Sequence, residues 1–307
     1  MQSHAKTLSD EIKKLGLEQY VLELESDGLT IVPPEVTGVT PEFLDHCTEV
    51  LLERFTEMTG CPISLENGPE GKLNWPELDP NRKDISLRGS NAPEPTQMLI
   101  QQLLKLDRCF RDLAVNPAVD ALIGHMMGRS GTGASARRLS SANSFVKWQG
   151  DYGYGPALGL HADQGACPLP WGPTALTANA TWTLTDYTKE DGALAWVPGS
   201  HKRASHPMQP MATQAAIAAE CPRGSAIVFH GATWHGAFPK QTRGLRLCAV
   251  SYYRHHSVLP QENLTVTMES QPWTDCDDPA RMRDLIGFDD MFPYLSQSTP
   301  VPVSAIQ

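Results

Sequence analysis

The second half of the chain contains five short segments, RLSSANSFVKWQ, TANATWTLTDYT, GALAWVPG, GSAIVFHG and LRLCAVSYYR, rich in β-branched or aromatic residues and bounded by Gly, Pro or Asp. No long helical pattern separates them. Short strands in that arrangement build an antiparallel barrel or a double-sheet jelly roll. The fold class expected is therefore mainly β with helical support: a double-stranded β-helix core flanked by N-terminal helices.

The first half carries the helical signals. Thr40 followed by Pro41 is a good helix start, because the threonine oxygen can cap free N–H groups and proline suits the first turn. Phe43, Cys47, Val50, Leu51, Phe55 and Met58 then recur at helical spacing, and Gly60 can end the helix. A second helix is expected over TQMLIQQLLKLDRCFRDLAV, followed by Asn116-Pro117 and a short helix, VDALIGHMMG. The Pro62 to Pro95 stretch is rich in Pro, Gly and Asn and is expected to be an ordered functional loop or lid. With no linker in sight, residues 1–307 are expected to form one domain. Its parts are a helical segment to about 130, a jelly-roll core over about 131–260 and a C-terminal extension over about 261–307.

The chain has 307 residues and 40% hydrophobic content, enough to bury a real core. Its net charge is −10 and its Lys and Arg residues are scattered. That balance speaks against nucleic acid and anionic membranes as partners. The seven cysteines are odd in number, widely spaced and contain no CxxC, so a disulfide framework and a zinc ribbon are both disfavoured. No apolar run approaches a membrane span and no secretory leader is visible. A cytoplasmic protein, monomeric or homodimeric, that acts on a small molecule is the expectation.

His161 and Asp163 stand two apart in GLHADQGACP. On an extended strand, residues i and i+2 project from one face, so imidazole and carboxylate can converge on one ion. A third nitrogen ligand has to come from elsewhere; His235, just beyond a strand, is favoured, with His230 its competitor. Two imidazoles and one carboxylate form the facial set of non-haem Fe(II) oxygenases, leaving three positions for a bidentate 2-oxo acid and O2. The oxo acid's far carboxylate then needs a fixed cation, and arginine's planar fork suits it. Arg246 lies 11 residues after His235 inside LRLCAVSYY. Its period-2 companions are Cys248, Val250 and Tyr252, while Arg243 belongs at the rim.

These residues resemble the phytanoyl-CoA dioxygenase family of Fe(II)- and 2-oxoglutarate-dependent oxygenases. The likeness includes the HxD of His161 and Asp163, the distal His235 and Arg246. It extends to GALAWVPGSHK (Gly192 to Lys202), LESDGLTIVP upstream, and LDRCFRDLAVNPAV before the barrel, covering roughly residues 18 to 256. The resemblance implies iron held by His161, Asp163 and His235, and 2-oxoglutarate held through Arg246. Asn179, Thr181 or Trp182, on the strand after HxD, and Lys147, on the strand before it, are further candidates for 2-oxoglutarate. Trp148, Tyr152, Tyr154, Trp171 and Tyr252 are candidates for the substrate pocket.

The resemblance further implies oxidation of an unactivated C–H bond, with succinate and CO2 as co-products and hydroxylation as the default outcome. A carboxylate at Asp163 disfavours halogenation, which needs that position open. The loop GACPLPWGPTALT and the Pro62 to Pro95 segment match nothing specific to phytanoyl-CoA. A small, partly hydrophobic substrate is expected, with a free amino acid, an osmolyte or an acyl-CoA as alternatives. The competing class is a non-catalytic metal-binding barrel that serves as a binding module. His201, His206, His255 and His256 are expected in solvated turns or at the surface.

Overall fold

The computed structural model describes residues 10–73, 96–128, 135–150, 157–269 and 273–290. Tyr152, Tyr154 and most of the Pro62 to Pro95 loop lie outside them.

The helical part begins with α1 (Glu18–Asp27), which leads through Gly28 into β1 (Leu29–Val32). Helix α2 (Pro41–Thr59) starts and stops where its capping residues dictate. The Thr40 side chain accepts from Phe43 N at 3.2 Å, and Gly60 closes the helix at φ +66°. Its buried stripe includes Leu44, Cys47, Leu51 and Phe55. After it, Ile63–Ser64 and Gly68–Pro69 pair as a small hairpin.

The long helix expected over residues 96–115 is not formed. Its first part is an edge strand, β2 (Gln97–Ile100), and the chain becomes helical only in α3 (Leu103–Leu106) and α4 (Arg108–Ala114). Met98 and Ile100 are buried while Leu99 faces out, the alternation of a strand. Gln102 then takes φ +62°, its N–H bound to Glu262 Oε1 at 2.9 Å, and breaks any continuous helix. Tertiary pairing has overridden a helix-like local pattern. Asn116 caps α5 (Pro117–Met127) by accepting from Ala118 N and Val119 N.

The remaining strands are β3 (Arg137–Trp148), β4 (Thr177–Thr183), β5 (Leu194–Trp196), β6 (Ile217–Ala218), β7 (Ala226–His230), β8 (His235–Ala237) and β9 (Leu245–His255). They form two antiparallel sheets, a six-stranded one in the order β1-β7-β4-β9-β3-β2 and a three-stranded one in the order β8-β5-β6. This is the jelly-roll core. Two of its strands, β1 and β2, come from the part of the chain expected to be helical. Two short helices, α6 (Leu264–Thr267) and α7 (Pro279–Ile286), follow the last strand.

One face of the large sheet packs on the helices. A single hydrophobic cluster runs from Ile12 to Ile286 and takes Ala178, Ala180 and Trp182 from β4. The other face looks toward the small sheet across a cavity of about 430 Å³. All seven cysteines are buried and free. Beneath the sheet, Asp120 on α5 receives Arg137 in a two-pronged pair at 2.9 and 2.6 Å, and Arg281 on α7 at 2.9 Å.

Candidate metal centre

β8 starts at His235, and its partner across the cavity mouth is His161. The two residues form an isolated antiparallel bridge, with His161 N donating to His235 O at 2.8 Å and His235 N to His161 O at 2.9 Å. A side chain at Gly236 would run into Leu158 O, so glycine is what lets this crossing close. The bridge sets the two imidazoles 4.3 Å apart between centroids.

Asp163 does not continue the strand. Ala162 is extended, and Asp163 begins a 3-10 turn through Ala166. Gln164, fully buried, pins that turn, since its N–H reaches Gly231 O and its Oε1 accepts from Leu176 N, both at 2.9 Å. The convergence inferred from HxD spacing is thus produced by one bridge plus a tight turn. Asp163 Oδ1 lies 3.5 Å from His161 Nε2 and 3.6 Å from His235 Nε2. One donor atom from each of the three falls within 4.8 Å of the others. Ligand atoms about 2.1 Å from one ion and at right angles stand about 3 Å apart, so a small inward shift completes the set.

The tautomers agree with that use. His161 Nδ1 lies 2.9 Å from Gly159 O, and His235 Nδ1 lies 3.0 Å from Thr233 O. A carbonyl only accepts, so each Nδ1 carries a proton and Nε2 is the nitrogen each ring can offer a metal. Burial acts to lower the His161 imidazole, but the Asp163 carboxylate beside it raises it above its ordinary value while no cation is there. Burial pushes the His235 imidazole down to about 4, which keeps its Nε2 lone pair free at neutral pH. Burial acts to raise the Asp163 carboxyl, but His235 and His161 beside it bring it below the ordinary aspartate value. The three residues fit a divalent cation.

His230 has the opposite arrangement. Its Nδ1 accepts from Ala232 N at 3.0 Å, so the proton sits on Nε2 and leaves no lone pair there for a metal. Its side chain lies on the other face of β7 from Phe229 and lines a second cavity of about 550 Å³ with His125, Trp171 and His201. His201, expected in a solvated turn, is half-buried with its ring 5.6 Å from that of His230.

Arg246, Cys248, Val250 and Tyr252 all line the metal-site cavity, as their shared face on β9 requires. Arg246 is 5% exposed, and its Nη1 donates to Tyr187 Oη at 2.9 Å. Arg243 bonds Asn67 at the exposed rim. Asn179 and Thr181 line the cavity from β4. Asn179 Nδ2 approaches Asp163 Oδ2 at 3.5 Å, and Thr181 Oγ1 donates to Asn179 Oδ1 at 3.1 Å. Lys147 pairs in register with Arg246, and its Nζ donates to Phe238 O at 2.7 Å. Burial, with Arg246 and Lys240 nearby, pushes its ammonium down to about 7. Lys147 is not among the residues lining the cavity.

Three aromatic candidates stand elsewhere. Trp182 is out of phase with Asn179 and Thr181 and points into the helix-facing core. Trp148 packs edge-on against Phe55, ring centroids 5.9 Å apart. Trp171 donates to Cys167 O at 3.1 Å and faces the second cavity. Sequence reasoning missed Asn143 and Phe145, Tyr187, Phe229 and Gln261, all of which line the metal-site cavity. Strand parity with Lys147 marks the first two; nothing local marks Tyr187 or Gln261.

A family model for phytanoyl-CoA dioxygenase (PhyH) matches residues 76–248. Dioxygenase af480 of Aspergillus fumigatus is 27% identical over 186 residues, 58% of this chain and 55% of its own length. Dioxygenase ALT11 of Alternaria alternata is 30% identical over 159 residues, 50% of this chain and 51% of its own. The chain thus spans about half the length of these relatives. HygX from Streptomyces hygroscopicus, solved with nickel and 2-oxoglutarate bound, superposes at TM-score 0.54 and 14% identity, over 79% of this chain and 88% of that one. The epimerase SnoN, in complex with Fe3+, α-ketoglutarate and nogalamycin RO, gives TM-score 0.54 and 16% identity, over 84% and 91%. These two likenesses are of fold.

Proposed function

The chain belongs to the phytanoyl-CoA dioxygenase family, and from that premise we propose that it is an Fe(II)- and 2-oxoglutarate-dependent dioxygenase acting on a small, partly hydrophobic molecule. The observation that supports this most is the pairing of tautomers. Both His161 and His235 bond a carbonyl through Nδ1 and turn Nε2 toward Asp163, while the neighbouring His230 turns its proton-bearing nitrogen elsewhere. In this reading the whole described chain acts as one domain, its helices backing the jelly roll.

His161, Asp163 and His235 would hold the iron. Arg246, steadied by Tyr187, would hold the far carboxylate of 2-oxoglutarate with its planar fork. Asn179 would keep the second Asp163 oxygen occupied, leaving Oδ1 for the metal. Bound there with 2-oxoglutarate and O2, the iron supplies an oxidant able to attack an unactivated C–H bond, with succinate and CO2 as co-products. The protein would exclude water and orient the substrate through a lining that mixes apolar residues, Phe145, Leu194, Phe229 and Val250 among them, with polar ones such as Thr181 and Gln261. Hydroxylation is the outcome proposed. Among the described residues no helix is long and apolar enough to cross a membrane.

Succinate formation tests the proposal. Purified protein given Fe(II), ascorbate, 2-oxoglutarate and O2 should release succinate slowly without substrate, and faster with one. Chelation of iron should stop it. Absence of iron-dependent succinate would overturn the assignment and leave a binding module.

A further inference from the structure

Among the described residues, two groups of metal-ligating side chains converge on one point: the set at the cavity, and His46, Asp107 and Cys109. In the second group too, one donor atom from each residue falls within 4.8 Å of the others. It lies in the helical layer, with His46 on α2 and Asp107 and Cys109 at the start of α4. None of the three lines either cavity. Spacing could not announce the group, because its two halves stand 61 residues apart.

Asp107 joins the parts. Its Oδ1 accepts from Cys109 N at 2.8 Å and faces His46 Nε2 at 3.1 Å. The first bond caps α4, and the Cys109 thiol comes within hydrogen-bond reach of the same carboxylate. The Cys47 thiol, one residue along α2 from His46, is in reach of Cys109 as well. Both cysteines are buried, whereas the His46 side chain is 52% exposed. The thiol end is closed and the imidazole end is open to solvent, which gives a cation a way in.

Helix capping accounts for the contact of Asp107 with the Cys109 main chain, and an exposed His–Asp pair is worth little by itself. Neither calls for a thiol at the same point. Imidazole, carboxylate and thiolate together make a zinc donor set. With Zn–N and Zn–O about 2.1 Å and Zn–S about 2.3 Å, tetrahedral donors stand about 3.4–3.6 Å apart. His46 and Asp107 are already near that spacing, and a carboxylate's several lone pairs let Asp107 cap and ligate together.

We propose that His46, Asp107 and Cys109 form a second metal site, which takes Zn(II) and clasps α2 to the start of α4. On binding, Cys109 gives its thiol proton to solvent and water fills the fourth position. The Cys47 S–H then donates to the new thiolate. The site stands apart from the functional reading, because it shares no residue with the cavity.

Cobalt(II) is the probe. Thiolate bound to it gives a near-ultraviolet charge-transfer band, which a His/Asp/His set, lacking sulfur, cannot give. Anaerobic titration of the reduced full chain should develop the band, and Zn(II) should bleach it. Asp107→Asn keeps the helix cap but loses the anionic ligand. That variant and His46→Ala should each need at least about tenfold more Co(II), with the fold kept by circular dichroism. Cys109→Ser should abolish the band; if it fails to fold, the other two variants decide. No band in the wild type, a band unmoved by both His46→Ala and Asp107→Asn, or one that survives Cys109→Ser would overturn the proposal.

Discussion

His161 and His235 exchange both main-chain hydrogen bonds, so each histidine's backbone sets the position of the other's imidazole. The proposed metal centre would therefore be assembled by strand pairing, and Gly236 is the residue that permits the pairing to close. The main chain thus fixes two of the three proposed donors relative to each other.

Gly236→Ala should weaken metal binding although it touches no donor atom. The added methyl group meets Leu158 O, backbone that cannot swing away, so the bridge must open. Changes in the groups that orient metal ligands commonly cost about 10–100-fold in affinity. Calorimetric titration with Fe(II) or Co(II) should show a loss in that range, with the fold kept by circular dichroism. Unchanged affinity would show that the bridge does not position the site.

Tyr187→Phe should raise the 2-oxoglutarate requirement and leave metal affinity alone. It removes the hydrogen bond from Arg246 Nη1 to Tyr187 Oη at 2.9 Å. Bonds to charged groups are worth about 1.5–3 kcal/mol, so the KM for 2-oxoglutarate should rise roughly tenfold or more. Initial rates across 2-oxoglutarate concentrations, with metal affinity measured beside them, check both halves.

His230→Asn should leave metal affinity unchanged, whereas His235→Ala should abolish it. The reason is the tautomer: Ala232 N–H occupies His230 Nδ1 and puts the proton on Nε2. Metal titrations of the two variants decide which histidine completes the site.

Asp120→Asn should destabilise the fold without touching the cavity. Asp120 is buried between Arg137 and Arg281. Burial acts to raise its carboxyl, but the two guanidinium groups outweigh that and hold it below its ordinary 3.8. Leaving two guanidinium groups buried beside a neutral amide should cost about 3–5 kcal/mol. Because the folded-state pKa is depressed, the wild-type advantage is full above the ordinary aspartate value and fades as pH falls below it. Thermal melts of both proteins from pH 7 down to 3 should show the gap constant down to about pH 4 and beginning to narrow below it.

Much of the centre was legible in the sequence because strand periodicity carries it. Arg246, Cys248, Val250 and Tyr252 share a face by counting alone, and Asn179 and Thr181 share theirs. The same count excludes Trp182, which family resemblance had kept in play. What could not be read came from long-range pairing. Gln97–Ile100 is a strand because β3 offers it an edge, and local pattern alone makes it helix. Gln261 reaches the cavity because its N–H bonds Ser140 Oγ across the fold. Tyr187 follows β4 in a turn whose pairing with Cys221 no short motif announces. Helix caps such as Thr40 and Asn116 were legible because their energetics are local.

The central claim is that His161, Asp163 and His235 hold iron with an open side toward Arg246. Anaerobic addition of 2-oxoglutarate to the Fe(II)-loaded protein measures it directly, through the visible charge-transfer absorption that chelation of iron by a 2-oxo acid produces. The wild type should develop the band and His235→Ala should not, while Arg246→Ala should bind iron normally and need far more 2-oxoglutarate to reach it. No band in the wild type, or an undiminished band in His235→Ala, would contradict the account.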